Sequence, residues 1–260
     1  MEKQSGSGPP YLHKESEVFL EGTLMRRSQR GATLIELIFA MAIMLVLTGS
    51  FYQLFTSFYQ NYEAQRMIAE MQQQGRVAVG LISREVRQAG YDPTGRVFGE
   101  IPPKNTKERR IRCGAKIKYP AERIFEATSA VFHYVADLNE NSHIDNSQAG
   151  KDVDEHIKYE WVGFSGIDSC GTSRQPYTLF RDSGSGLHEV ASNIESLQFD
   201  YYDAGGNLLV VPLTTLAERE QIMKVKVTVR VRTEQKELHY DSNGGYRTRQ
   251  FVSEVWMKNM

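Results

Sequence analysis

The chain has 260 residues, 31 Lys plus Arg against 32 Asp plus Glu, and 40% apolar side chains. A net charge of −1 excludes a nucleic-acid binder that relies on bulk positive charge, and ordinary apolar and charged fractions exclude wholesale disorder. Two cysteines, not arranged as CxxC, exclude a disulfide-rich scaffold.

The apolar residues are unevenly spread. Leu37 to Phe55 is a 19-residue run, LIFAMAIMLVLTGSFYQLF, without a charge, and about 20 apolar residues are enough to cross a bilayer as a helix. Arg26, Arg27 and Arg30 precede it, and no Lys or Arg follows until Arg66. That asymmetry puts the amino end in the cytoplasm and the remainder on the far side. A cleaved secretory signal would need a shorter apolar region and a small-x-small site, for which Thr48-Gly49-Ser50 is the candidate. A plain signal anchor leaves Glu36 unexplained, because an acid at the head of an apolar run is costly near lipid.

Arg30-Gly31-Ala32-Thr33-Leu34-Ile35-Glu36-Leu37 resembles the type III signal of type IV prepilins and pseudopilins. Ala32 departs from the Phe or Met usual after the glycine. The resemblance implies cleavage between Gly31 and Ala32 by prepilin peptidase, a membrane aspartyl peptidase, and N-methylation of Ala32. The apolar run would stay on the mature chain as its anchor. Glycine without a side chain lets a protease groove approach the backbone. Glu36 becomes the fifth mature residue, and Thr33, Leu34, Ile35 and Glu36 are the implied assembly segment. In a helical bundle the Glu36 carboxylate would pair with the Ala32 amine of a neighbouring subunit, since ion pairing makes a buried charge tolerable. The simpler alternative is an acid favourably placed near a helix N-terminus.

Residues 1–31 are then a cytoplasmic leader. Met25 offers a second start with the compact leader MRRSQRG, and residues 1–24 read as an over-extended start. The expected division continues with a transmembrane, filament-core helix over 32–56, its outer half over 57–90, and a β-rich periplasmic domain over 91–260. No proline occurs from Thr33 to Asp92, and Phe55, Phe58, Tyr59, Tyr62, Met67, Ile68, Met71, Val77, Leu81, Ile82 and Val86 recur at helical spacing. Gly75 and Gly80 weaken that helix locally. A helix from Thr33 to Ala89 would span about 85 Å, so half of it must project beyond a bilayer. Gly90-Tyr91-Asp92-Pro93-Thr94-Gly95 ends it with turn chemistry.

Short strands are expected at Ala130–Ala136, Ile157–Phe164, Tyr177–Arg181, Leu197–Tyr202, Val225–Val231 and Phe251–Trp256. The last two would pair across the polar loop Asp241–Tyr246, and Ala204-Gly205-Gly206-Asn207 is a turn. Fold class is therefore α+β and pilin-like: a long amino-terminal helix packed against one face of an antiparallel sheet. The stretch from Leu187 to Asn207, the carboxyl-terminal strand pair and GYDPTG resemble the larger minor pilins, GYDPTG pointing to PilW-type proteins of the type IV pilus.

Asp137, Asn139, Asn141 and Asp145 fall at positions 1, 3, 5 and 9 of an EF-hand-like register, which could converge on a structural Ca²⁺. Asp152 or Asp154 would be extra ligands. Ser142 and Gln148 replace the expected glycine and glutamate, and a solvated polar loop is the alternative. Cys113 and Cys170 lie in the part expected outside the cytoplasm, where a disulfide is favoured; two unpaired thiols are the other reading. No other cofactor is implied. The six histidines show no metal spacing, His133 reads as packed, and Asp182-Ser183-Gly184 as a turn rather than a nucleophile loop. The basic residues Lys224, Lys226, Arg230 and Arg232 alternate with valines as a solvent face, and no nucleic-acid partner is expected.

The sequence thus reads as a non-enzymatic minor pilin acting in type IV pilus assembly, in a priming or tip complex. Its implied partners are prepilin peptidase, other major and minor pilins, the inner membrane and the pilus assembly platform. A minor pseudopilin of a type II secretion system is the alternative. The expected location is the inner membrane, single-pass with the carboxyl-terminal domain in the periplasm, then the pilus at the cell surface.

Overall fold

The computed structural model describes residues 31–99, 109–110, 116–117, 122–142, 144, 155–184, 186–237 and 240–260. The chain divides into two compact units, Met1–Phe55 and Thr56–Met260. One helix, α1 (Leu34–Val86), supplies residues to both. Within the second unit its buried side is the stripe Met71, Gly75, Ala78, Ile82, Ser83, Glu85 and Val86, at the three- and four-residue steps that keep one helix face turned the same way. The helix stops three residues before Ala89, and a turn follows. Gly90 adopts a left-handed φ of 73°, its N–H donates to the Val135 carbonyl, and a side chain there would collide with the Asn259 carbonyl at 2.8 Å. Only glycine fits both demands.

The strands are β1 (Arg109–Arg110), β2 (Lys116–Ile117), β3 (Ile124–Ala127), β4 (Val131–Val135), β5 (His156–Val162), β6 (Thr178–Asp182), β7 (Leu187–Ala191), β8 (Ile194–Tyr202), β9 (Leu208–Leu209), β10 (Lys224–Arg232) and β11 (Thr248–Trp256), with a one-turn helix α2 (Leu216–Arg219) before β10. All described pairings are antiparallel. They form a β1-β2 pair, a five-stranded sheet in the order β3-β4-β5-β6-β7, and a four-stranded sheet in the order β11-β10-β8-β9.

The single sheet expected from the sequence is therefore corrected to two principal sheets, with β3, β7 and β9 as strands in them that the sequence reading did not place. The division falls at Ser192-Asn193. Ala191 pairs with Leu179 in one sheet and Ile194 with Val231 in the other. Asn193 takes a left-handed φ of 58°, a conformation asparagine tolerates, and this sharp turn passes the chain between sheets. Alternation shows which face of a strand is apolar but carries no information on which sheet it joins.

Both sheets and the outer part of α1 share one core. Val225, Val227, Val229 and Val231 of β10 are fully buried, and Phe132, Tyr134, Phe199 and Tyr201 form an aromatic cluster between the sheets. The opposite face of β10 is a charge ladder: Lys224 pairs with Glu254 (3.1 Å), Lys226 with Asp200 (3.9 Å) and Arg230 with Glu195 (2.8 Å). Three of the four basic residues read from the sequence as this face are thus neutralised by acids on the flanking strands; the fourth, Arg232, lies instead over the rings of Tyr177 and Tyr246.

Two points fasten α1 to the sheets. Glu85 accepts a hydrogen bond from Tyr159 Oη of β5 and pairs with Arg181 Nε of β6 at 2.9 Å; burial, then the nearby carboxylate, pushes the Tyr159 hydroxyl far up. At Gly75 the Phe251 ring of β11 lies against the helix backbone, where a Cβ would stand 2.1 Å from a ring carbon. The glycine that weakens the helix in isolation is the seat of this ring. Gly75→Leu should therefore cost about 1–3 kcal/mol in chemical denaturation through overpacking. Gly80→Ala, which meets nothing within 4 Å, should instead stabilise by up to about 1 kcal/mol.

Candidate functional site

Each residue of α1 from Leu34 to Phe55 is exposed, the large apolar ones by between 49% at Leu47 and 77% at Leu34. Among the described residues this is the one helix long and apolar enough to cross a membrane. Its hydroxyls are matched to such a setting. Thr48 Oγ1 donates to the Met44 carbonyl at 2.7 Å and Ser50 Oγ to the Val46 carbonyl at 2.8 Å, so neither presents an unpaired donor to hydrocarbon.

The residues expected at the processing site stand together where this helix begins. Gly31, Ala32 and Thr33 are exposed and non-helical, and nothing lies within 4 Å of the position a Gly31 side chain would take. Thr33-Leu34-Ile35-Glu36 closes as a capping box: Thr33 N and Oγ1 donate to Glu36 Oε2 at 3.2 and 3.4 Å, and Glu36 N donates to Thr33 Oγ1 at 3.4 Å. Within its own chain the Glu36 carboxylate thus rests one residue from Ala32, satisfying donors that a helix start leaves open. The T-x-x-E signature was present in the sequence, but its capping role was not read from it. Arg26, Arg27 and Arg30 lie outside the described residues.

Of the residues expected to surround calcium, Asp137, Asn139 and Asn141 occupy one loop, while Asp145, Asp152 and Asp154 lie outside the described residues. Asp137 is buried and its oxygens already accept backbone hydrogens: Oδ1 from Asn141 N at 3.1 Å and Oδ2 from Ser142 N at 2.9 Å. Asn139 Oδ1 also accepts from Asn141 N at 2.9 Å. The loop docks on the segment after α1, with Ser142 Oγ donating to Thr94 Oγ1 at 2.8 Å and Tyr91 Oη to Glu140 at 3.0 Å. Burial raises the Asp137 carboxyl and neighbouring Asp92 adds to it. Burial would raise Asp92 too, but hydrogen bonds from Phe98, Thr94 and Val97 hold it below the usual range. These oxygens organise the turn in which they sit.

Cys170 is disulfide-bonded, and Cys113, the other cysteine of the sequence, lies outside the described residues. The Asp182-Ser183-Gly184 segment is a turn in which Asp182 Oδ1 accepts from Gly184 N at 2.8 Å and Gly186 N at 3.1 Å. His133 is packed between Phe125 and His156, at ring separations of 5.3 and 5.6 Å. Burial, then the charges of His156 and Lys158, holds its pKa well below the ordinary value.

Residues 26–52 match the family model of the prokaryotic N-terminal methylation motif. The matched stretch runs from the arginines through Gly31, Ala32 and Glu36 into the exposed apolar helix. The chain therefore carries a type IV prepilin-like signal at its start. No curated protein matches the chain.

His133 gives the domain a pH dependence with a defined sign. Unfolded, it takes up a proton near about pH 6.5; folded, it does so only at much lower pH. Its contribution to stability is complete above the unfolded value and is lost as pH falls toward the folded one. Between about pH 6.5 and about pH 5 the protein should lose stability through this group. His133→Phe should flatten that limb in urea titrations at the two pH values.

Proposed function

From the prepilin-like start of the chain we propose that the protein is a minor pilin, cut between Gly31 and Ala32 by prepilin peptidase, methylated at Ala32 and built into a type IV pilus in a priming or tip complex. The observation that carries this reading is a continuous one. The Gly31-Ala32-Thr33-Leu34-Ile35-Glu36 sequence opens directly into a helix that has no charge from Leu37 to Phe55 and whose large apolar side chains are exposed among the described residues. Before assembly, the inner membrane covers that helix, with the carboxyl-terminal domain in the periplasm. In the filament, other pilin helices replace the lipid. The work is structural: cleavage and methylation are done by other enzymes, and this chain contributes helix packing, first against lipid and then against other helices.

Glu36 has two partners in this account. In the single chain its carboxylate caps its own helix through Thr33. After cleavage the residue it caps, Thr33, adjoins a new cationic amine at Ala32, and in a bundle the carboxylate exchanges the cap for the Ala32 amine of a neighbour. An ion pair in a dry helix bundle is stringent about register, because misplacement leaves a buried charge alone.

Glu36→Leu should leave processing intact and lower recovery in sheared surface filaments by about tenfold or more. Glu36→Gln, which keeps hydrogen-bonding capacity without charge, should be nearly as poor. Normal filament incorporation of both variants would contradict the assembly role. Absence of the wild-type protein from sheared pili, with loss of protein secretion on its deletion, would replace the pilus by the secretion pseudopilus as its destination.

A further inference from the structure

A cavity of about 200 Å³ lies between Met71 and Gln74 of α1, the Ser192-Asn193 turn that joins the two sheets, and Arg232 and Glu234 at the end of β10. Arg232 differs from the other basic residues of its strand. Lys224, Lys226 and Arg230 each face a carboxylate, whereas Arg232 has no acidic partner among the described residues. Its guanidinium carbon lies over the rings of Tyr177 at 3.8 Å and Tyr246 at 4.5 Å, and its Nε is buried without a hydrogen-bond acceptor. The backbone is fixed as well, Arg232 N donating to the Asn193 carbonyl at 2.9 Å.

A guanidinium cannot shed its proton, and its planar fork of donors fits a carboxylate with two parallel hydrogen bonds. Two aromatic rings hold that plane in place, so little side-chain freedom remains to be lost when an acceptor arrives. Gln74, Ser192 and Asn193 give the remainder of the wall neutral polar groups. Two acids also line the cavity: Glu70, already paired with Arg66 at 3.0 Å, and the exposed Glu234. Their presence favours a single negative charge over a dianion such as phosphate.

We propose that this cavity is a binding site for one carboxylate group, received by the Arg232 guanidinium between Tyr177 and Tyr246. The carboxylate comes either from a small organic acid or from an acidic side chain of another protein chain; the chemistry at Arg232 is the same.

The test uses the full chain in detergent micelles, with acetate titrated against chloride at constant ionic strength and the arginine Nε–H resonances followed by NMR. One resonance should shift saturably with acetate, and be missing in Arg232→Gln. Arg232→Lys, which keeps the charge without the fork, should bind about tenfold more weakly, read from the backbone amide of Asn193 in the cavity wall. Glu234→Gln leaves the arginine and both rings in place, so it remains informative if Arg232 variants fold poorly; removing the rim charge should tighten acetate binding several-fold. A shift that never saturates, one that survives in Arg232→Gln, or weaker binding in Glu234→Gln would overturn the proposal. Acetate that also weakens association of the chain with itself or, under the proposed function, with other pilins, together with the same loss in Arg232→Gln, identifies a protein side chain as the source; acetate binding without that effect identifies a free organic acid.

Discussion

Everything in this molecule depends on one helix that must satisfy two surroundings. Leaving a large apolar side chain in water costs about 1.5–3 kcal/mol, and from Leu34 to Phe55 such side chains are uncovered on every side of α1. An amphipathic helix could hide one face against its own domain; this segment has no polar face to offer. It therefore demands hydrocarbon or other helices around it. Farther along, the same helix changes character, and from Met71 to Val86 it presents the single apolar stripe of an ordinary core helix.

The second unit is built to hold that stripe. Phe251 sits where Gly75 has no side chain, and Glu85 gathers Tyr159 and Arg181 from two strands. Both sheets meet the helix in one apolar core, while Lys224, Lys226 and Arg230 on the outward face of β10 are neutralised by acids on its flanking strands. Under the proposed function such a domain contributes a folded body to the chain, and attachment is left to the start of α1. There Glu36 is held by Thr33 beside the residue that becomes the amino terminus under the proposed cleavage.

Much of this was legible in the residues themselves. The alternating valines of β10 gave the strand and its inward face, and the run free of proline gave the helix nearly to its end. The Gly31-to-Glu36 pattern pointed to the prepilin-like signal that the methylation-motif family model also matches, because it is local: adjacent residues suffice to recognise it. What escaped was non-local. The passage from one sheet to the other hinges on the left-handed backbone of Asn193, which a strand pattern does not encode, and the use of Gly75 is visible only once Phe251 stands opposite it. Asp137 shows a third limit: its carboxylate accepts the backbone hydrogens of Asn141 and Ser142, partners that the spacing of oxygens along the chain does not name.

The central claim is that the chain enters a filament by way of a new amino terminus at Ala32. Intact mass and amino-terminal sequencing of the membrane-extracted protein, with and without the cognate prepilin peptidase, address it most directly. The account predicts a mature chain that starts at N-methylated Ala32 when the peptidase is present, with the apolar helix retained. A chain left uncut in its presence, or one cut beyond Ser50 so that the helix is lost, would contradict it.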